Sequence, residues 1–154
     1  MPLLQSRFHE SWGVFSPDEK WFAFASNESG ENEVYLQAFR AGTVPGLSGP
    51  RYRASKGGAS TIRWRRDGRE LYFLDNAGIV QAVPVKLDPQ PDFGPPVALF
   101  AISTEARAAI HAFPGFDVSA DGSRFVIPVV SSAEAPLIVV IQNWEGLLPQ
   151  ITQH

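Results

Sequence analysis

The residues best suited to chemistry lie at or just before predicted β-strands. His9 and Glu10 precede the first apolar segment, Ser60 and Arg63 flank the start of the second, and His111 precedes the third. Imidazole and carboxylate groups bind metals or transfer protons, and serine and arginine bind polar ligands. No two histidines have the spacing of zinc ligands on one local element. These five residues are therefore candidates for a ligand site, with ordinary loop polarity as the alternative, and we name no catalytic residue and no metal ligand.

Motifs of the common enzyme classes are missing. The chain has no Gly-x-Ser-x-Gly elbow, no phosphate-binding Gly-x-x-x-x-Gly-Lys loop and no dinucleotide fingerprint. It has no cysteine, which excludes thiolate metal sites and cysteine nucleophiles. The net charge of −3 argues against a nucleic-acid partner. We expect a basic cluster at residues 63–69 to form ion pairs with glutamates instead, and we predict no cofactor.

A threefold repeat organises the chain. Three segments of similar sequence contain Asp18, Asp67 and Asp121, which are 49 and 54 residues apart. This spacing is close to the roughly 40–50 residues of one propeller blade. In each segment an apolar strand runs into a short polar turn, and a second strand rich in aromatic residues follows. The repeat predicts three similar β-units.

The turn residues have a structural interpretation. Asp67-Gly68 and Asp121-Gly122 are strong hairpin signals, because glycine adopts the positive φ that such turns need. The carboxylates of Asp18, Asp67 and Asp121 are expected to accept hydrogen bonds from backbone amides within the turn. Glu19 occupies the position of the two glycines, and a positive φ there would cost about 1 kcal/mol.

Further strands complete each unit. The third strands are predicted at Glu33–Phe39, Ile79–Val85 and Leu137–Ile141, and the fourth strands at Arg51–Ala54 and Val97–Ile102. The connecting loops are rich in glycine and proline at 41–50, 89–96 and 131–136. Helix signal is nearly absent, with only short turns expected at Thr104–Ala109 and Trp144–Leu148. An additional strand is predicted at Leu3–Phe8.

These elements predict an all-β protein of three four-stranded antiparallel propeller blades, which is half of a six-bladed propeller. The blades cover approximately residues 12–55, 60–102 and 113–143 of a single domain, 1–154. Three blades cannot close a ring, and an open arc would expose two apolar sheet faces. Two copies related by a twofold axis would bury both faces, so we predict a homodimer. The strand at 3–8 would complete a blade of the partner chain. Alternatively, the chain is a truncated half whose other half is covalently attached.

The segment from Phe15 to Gly30, with Ser16-Pro17-Asp18 followed by an aromatic strand, resembles the repeat of TolB-type, WD-like β-propellers. The similarity is greatest to the C-terminal half of six-bladed propellers attached to bacterial serine/threonine kinases. Glu33-Val34-Tyr35, the run from Arg65 to Leu71, and Asn143-Trp144 share this resemblance. It implies a bacterial protein of the cytoplasm or periplasm. Kinase activity does not follow, because no kinase motif is present.

Two functional hypotheses remain open. The first is a non-enzymatic binding or scaffold module, with a central channel for a peptide, protein or small ligand. The alternative is a hydrolase or lyase with a metal-assisted site in the central tunnel, built from His9, Glu10 and His111 of two chains. The longest apolar run, Leu137–Ile141, is too short to span a bilayer, and residues 1–8 lack the apolar stretch of a signal peptide. We therefore expect a soluble chain without membrane insertion.

Overall fold

The computed structural model describes residues 3–4, 6–112, 115–130 and 136–142, except for the side chains of residues 111, 112, 130 and 136–138. The described elements are the strands β1 (Glu10–Phe15), β2 (Trp21–Ser26), β3 (Glu33–Arg40), β4 (Gly46–Arg53), β5 (Ser60–Trp64), β6 (Glu70–Leu74), β7 (Ile79–Lys86), β8 (Asp92–Phe93), β9 (Val97–Ala101), β10 (Asp117–Val118), β11 (Arg124–Val130) and β12 (Pro136–Gln142), with helix α1 (Thr104–Ala112) between β9 and β10.

The strands form three antiparallel sheets that follow one another along the chain. The first sheet has the order β1-β2-β3-β4, and the third has the order β10-β11-β12. In the second sheet β5, β6 and β7 pair in sequence, and β7 then pairs with both β8 and β9. The predicted all-β class is confirmed.

Side-chain alternation along β2 explains how the sheets pack. Ala23 and Ala25 belong to a buried cluster shared with the second sheet, whereas Phe22 and Phe24 point to the opposite face. In β6, Leu71 belongs to the cluster shared with the first sheet, and its neighbour Tyr72 to the cluster shared with the third. We call the face of a sheet that points to the preceding sheet its leading face, and the other its trailing face. In the first sheet, the leading face is the equivalent face, which carries Phe22 and Phe24. The second sheet is thus packed on both sides.

The boundaries of several strands differ from the sequence prediction. β4 begins at Gly46, inside the segment 41–50 that was expected to be a loop, and pairs with β3 from there. The two-residue strand β8 lies in the predicted loop 89–96. The described residues of the predicted strand Leu3–Phe8 form no strand, and residues 6–8 instead make local bends. The glycine and proline residues at 41–50 and 89–96 are typical of loops, so the sequence did not indicate that the start of β4 and the two residues of β8 pair with neighbouring strands.

Helix α1 corrects the prediction of a short turn at Thr104–Ala109. Ser103 begins it, since its hydroxyl accepts a hydrogen bond from the Ala106 amide and its carbonyl accepts one from the Arg107 amide. Ala106 and Ile110 pack in the core shared by the second and third sheets. The Arg107 side chain donates hydrogen bonds to the carbonyls of Asn76 and Ala77, which ties the helix to the β6–β7 turn. Within the described residues, no helix is long and apolar enough to cross a membrane.

Candidate binding site at the inner strands

The first strands of the three sheets lie side by side. β5 contacts both β1 and β10, so these strands form one edge of the molecule. The candidate residues His9, Glu10, Ser60 and Arg63 all lie at or just before β1 and β5. The repeat therefore brings the starts of neighbouring strands to a shared edge, as a ligand site at a channel mouth requires.

A positive φ recurs at the start of the first strand in all three sheets, within β1 and β5 and just before β10. Trp12, Thr61 and Gly115 each lie six positions before a turn aspartate, and their φ angles are +57°, +49° and +88°. β-Bulges interrupt the pairing of β1 and β5 at these positions. A positive φ is unusual for tryptophan and a clear outlier for β-branched threonine. Such strain persists only where surrounding packing enforces it, and it concentrates at functional sites.

Thr61 is the most constrained of the three. Its side chain is fully buried, and its hydroxyl has no hydrogen-bond partner in the described part of the chain. A Cβ atom added to Gly115 would lie 2.3 Å from the Thr61 Cγ2 atom. Only glycine therefore fits at position 115, and the segment ahead of β10 packs closely against the bulge of the second sheet.

Arg63 links the second and third sheets at this edge. Its Nε atom lies 3.6 Å from the Asp117 carboxylate, and its guanidinium donates a hydrogen bond to the Ile62 carbonyl. Asp117 occupies in the third sheet the position of Arg63 in the second. The sequence analysis did not single out Asp117, although its position in the repeat was the available signal. The pair offers one cation and one anion beside each other.

Glu10 is held by side chains of its own sheet. Its carboxylate lies 2.9 Å from the Arg51 guanidinium and accepts a hydrogen bond from the Ser6 hydroxyl. Arg51 also pairs with Glu28, and it lies over the Phe24 ring, 5.0 Å from the ring centroid. This network crosses the leading face of the first sheet, so it ties the Glu10 carboxylate into the packing of that face.

The remaining candidates lie apart from this network. His9 is exposed. Its backbone amide donates a hydrogen bond to the Asn27 side-chain oxygen, and its carbonyl accepts one from the Asn27 backbone amide. Ser60 begins β5 and is partly buried. His111 lies in α1, and its side chain is outside the described part of the structure. Among the described residues, no group of three or more histidine, aspartate and glutamate side chains is placed to hold a metal ion.

The three turn aspartates lie at the opposite ends of the first strands. Each carboxylate accepts a hydrogen bond from the amide two residues later, in Lys20, Arg69 and Ser123. Glu19, Gly68 and Gly122 follow them with φ angles of +58°, +73° and +77°. Glu19 therefore has a positive φ, as its two glycine counterparts do. Hydrogen bonds from Ser119, and from the amide and hydroxyl of Ser123, hold the pKa of Asp121 well below its usual value.

In the basic cluster at residues 63–69, Arg65 forms a local ion-pair network, whereas Arg66 and Arg69 are exposed. Arg65 pairs with Asp67 at 2.9 Å and with Glu70 at 3.2 Å, and the Tyr72 hydroxyl donates to the same Glu70 carboxylate at 2.6 Å. Burial, followed by the hydrogen bond to Glu70, raises the pKa of Tyr72. The hydrogen bond to Glu70 also raises the pKa of Arg65. Arginine–glutamate pairing was the expected role.

A cleft of about 920 Å³ lies at the turn end of the sheets. It runs between the turns of the first and second sheets, and the end of β7 with β8 forms its wall. Exposed Arg66 and Arg69 line it together with Phe93, and so do the carboxylates of Asp88 and Asp92. The sequence analysis missed this cleft, because β8 was not predicted.

Comparison with solved structures identifies the architecture. TolB from Acinetobacter baumannii superimposes with a TM-score of 0.56 and 16% identity, over 84% of this chain and 29% of TolB. The chain has a TolB-like, propeller-type fold. Oligogalacturonate lyase from Vibrio parahaemolyticus is also similar, with a TM-score of 0.56 and 12% identity, over 91% of this chain and 40% of the lyase.

The blades of propellers are four-stranded sheets arranged around a central channel. In this chain the first strands of the three sheets, β1, β5 and β10, lie side by side. The chain spans less than half the length of either neighbour. No protein-family model and no curated protein matches its sequence. At these identities the likeness establishes the fold alone.

Proposed function

We propose that the chain is a non-enzymatic binding module that forms half of a six-bladed propeller and closes the ring by pairing with a second copy. The two half-propellers would together enclose one channel, lined by β1, β5 and β10 of both chains. A peptide, protein segment or small polar ligand would bind in this channel. The proposal rests on the equivalence between the leading face of the first sheet, which neither of the other described sheets covers, and two leading faces that are buried against a sheet.

This equivalence follows from the repeat. Phe22 and Phe24 in β2 correspond to Leu71 and Phe73 in β6, which pack against the first sheet. They also correspond to Phe125 and Ile127 in β11, which pack against the second sheet. Two of the three leading faces are thus sheet junctions, and the third carries residues of the same kind. Burying an aromatic face against a sheet is strongly favourable, at roughly 25 cal/mol per Å² of apolar surface.

The trailing face of the third sheet supplies a complementary surface. Val126 corresponds to Ala23 and Tyr72, which are buried at the two internal junctions, but Val126 itself is 38% exposed. Val140, its cross-strand neighbour in β12, is 49% exposed. Small residues there would face the large aromatic residues of the first sheet, as Ala23 and Ala25 face Leu71 and Phe73 within the chain.

The third sheet also leaves room for a fourth strand. Among the described residues β12 pairs only with β11, whereas the corresponding strands β3 and β7 have partners on both sides. An unpaired strand edge is a template for another strand. We propose that residues 3–8 of the second copy add to this edge, which would complete the third blade.

Channel binding would depend on Arg63 and its neighbours. The Arg63–Asp117 pair would occur twice around the channel, and Ser60 and His9 would lie near its mouth. Compounds that raise the melting temperature of the wild-type protein but not of Arg63→Ala would identify channel ligands. Equal stabilisation of both proteins would locate their binding elsewhere and count against a site at Arg63. Asp117→Ala serves as the control for loss of the ion pair.

A tunnel lyase with a metal-assisted site is the second candidate, since one structural neighbour is a lyase. Its metal would need His9, Glu10 and His111 from two chains. The Glu10 carboxylate is already bound by Arg51 and Ser6, which favours the binding module.

The mass of the particle in solution tests ring closure. Light scattering across a concentration series should give the mass of two chains for the wild type at high concentration, and of one chain for Val126→Asp. Val44→Asp is the matched control, because Val44 is 63% exposed in the β3–β4 loop and should leave the dimer intact. A wild type that stays monomeric, or a Val126→Asp variant that still pairs, would contradict the proposal.

A further inference from the structure

The N-terminal residues lie on the leading face of the first sheet. Leu3 and Leu4 pack against the aromatic cluster of Phe22, Phe24 and Tyr35. These three rings are between 0% and 8% exposed in the single chain, although neither of the other two described sheets covers them. The segment therefore occupies the surface that ring closure would need.

The attachment of this segment is weak. None of its described residues forms a backbone hydrogen bond with a strand of the first sheet. Its polar contacts are the hydrogen bond from the Ser6 hydroxyl to Glu10, at 3.0 Å, and a local bond from the Phe8 amide to Ser6. Leu3, Leu4 and Phe8 are each only partly buried. The segment can therefore leave the sheet without breaking any backbone pairing between strands.

A cleft open to solvent remains beside the segment. It has a volume of about 410 Å³ and is lined by Leu4 and Phe8 of the segment and by Gly13, Phe22 and Phe24 of the sheet. Protein cores are close-packed, and sheet junctions reach that density by interdigitation. A second sheet packed on this face would fill the cleft and make contacts that the segment does not make.

We propose that residues 3–8 are a displaceable cover that competes with a second copy of the chain for the leading face of the first sheet. This inference rests on the proposed ring. A covered chain cannot pair, so the cover lowers the apparent affinity by the fraction of chains that are uncovered. Because both copies of the dimer must uncover, the apparent dissociation constant varies with the inverse square of that fraction. Release of the segment also makes it available to the edge of β12 that has no partner among the described residues.

The test compares the wild type with the double variant Leu3→Ser/Leu4→Ser. This variant removes the apolar contacts of the cover but keeps the backbone of the segment. Sedimentation equilibrium gives the dimer dissociation constant, and binding of a hydrophobic fluorescent dye to dilute protein reports exposure of the aromatic face. Val44→Ser is the matched control, since it removes an exposed apolar side chain of the β3–β4 loop. We expect the double variant to dimerise at least about tenfold more tightly and its dilute form to bind more dye.

Each other outcome overturns the inference in a recognisable way. An unchanged dissociation constant would mean that the segment does not compete, and a weaker dimer would mean that Leu3 and Leu4 contribute more to the added strand in the dimer than to the cover in the single chain. Either result would leave the ring itself standing. If both proteins stay monomeric at every concentration while the variant binds extra dye, the segment covers the face but the proposed ring is wrong, and the competition fails with it.

Discussion

Phe24 and Phe73 occupy the same position in the first and second sheets, six residues after the turn aspartate, yet they have different neighbours. Phe73 packs against the first sheet in a junction of two sheets, whereas Phe24 lies under the guanidinium of Arg51 and the N-terminal leucines. One chain thus contains both a completed junction and its uncompleted equivalent. The proposal of ring closure depends on this difference.

Replacing Glu19 by glycine should raise thermal stability slightly. Glu19 has a φ of +58° where the other two turns have glycine, and a left-handed residue with a Cβ costs roughly 1–2 kcal/mol. Part of that gain is offset by the greater freedom of glycine in the unfolded chain. We expect an increase in melting temperature of about 2–4 °C, measured by circular dichroism. Gly68→Ala, at a φ of +73°, should shift it downward; a decrease for Glu19→Gly would show that the first turn does not require glycine.

The Asp121 turn should contribute to stability in a pH-dependent way. Its pKa is lowered in the folded chain, so its contribution is present above the ordinary value of 3.8 and disappears as the pH falls through the lowered value. Asp121→Asn should therefore be less stable than the wild type at pH 7, and the difference should shrink as the pH is lowered below about 4. Urea unfolding at several pH values measures this. A constant difference across pH would mean that the charge of Asp121 is not involved.

Tyr72→Phe should destabilise the protein at neutral pH. The substitution removes the hydroxyl that donates to Glu70 at 2.6 Å, at a cost of about 1–2 kcal/mol. The raised pKa of Tyr72 means that its contribution is complete below the ordinary value of 10.0 and is lost as the pH rises above it. The gap between the variant and the wild type should therefore narrow in alkaline solution. Denaturant unfolding at pH 7 and at about pH 11 checks this, and an equal gap at both pH values would argue against it.

The close packing of Gly115 against the bulge in β5 predicts strong coupling between Thr61 and Gly115. Gly115→Ala combines a φ of +88° with a Cβ placed 2.3 Å from the Thr61 Cγ2 atom, and should cost about 2–4 kcal/mol. In a Thr61→Ala background the contacts with the Cγ2 atom and the hydroxyl disappear, and only the contact with the Thr61 Cβ atom, at 3.1 Å, remains. The same substitution should therefore cost at least about 1 kcal/mol less. A double-mutant cycle measures this coupling. Additive effects would mean that the two positions do not depend on each other.

The repeat made most of the fold predictable, because the turn aspartates fix where the hairpins fall. Helix α1 was missed, although Ser103 followed by Thr104, Glu105 and Ala106 contains an N-cap signal. A nine-residue helix gains its stability from packing Ala106 and Ile110 into the core, which no local pattern reveals. The strand predicted at 3–8 needs a partner chain to pair with. In the single chain its described residues form no strand, and Leu3 and Leu4 pack on a sheet face.

The candidate site was predictable only in part. Repeat alignment located Arg63 and Ser60 at the inner edge, but the engagement of Glu10 by Arg51 depends on a side chain that crosses the sheet over Phe24. The strained φ of Thr61 has no sequence signal, since threonine is a common strand residue. Such features arise from tertiary contacts between neighbouring sheets.

Site-directed cross-linking tests ring closure most directly. The chain has no cysteine, so Phe15→Cys on the leading face and Val126→Cys on the trailing face can each be introduced alone. Phe15 corresponds to Trp64, which is buried at the first internal junction, and Phe15 itself is 40% exposed. With a flexible bismaleimide, a mixture of the two variants should give covalent dimers, and each variant alone should give few. Equal cross-linking in all three samples, or none in the mixture, would contradict the head-to-tail ring.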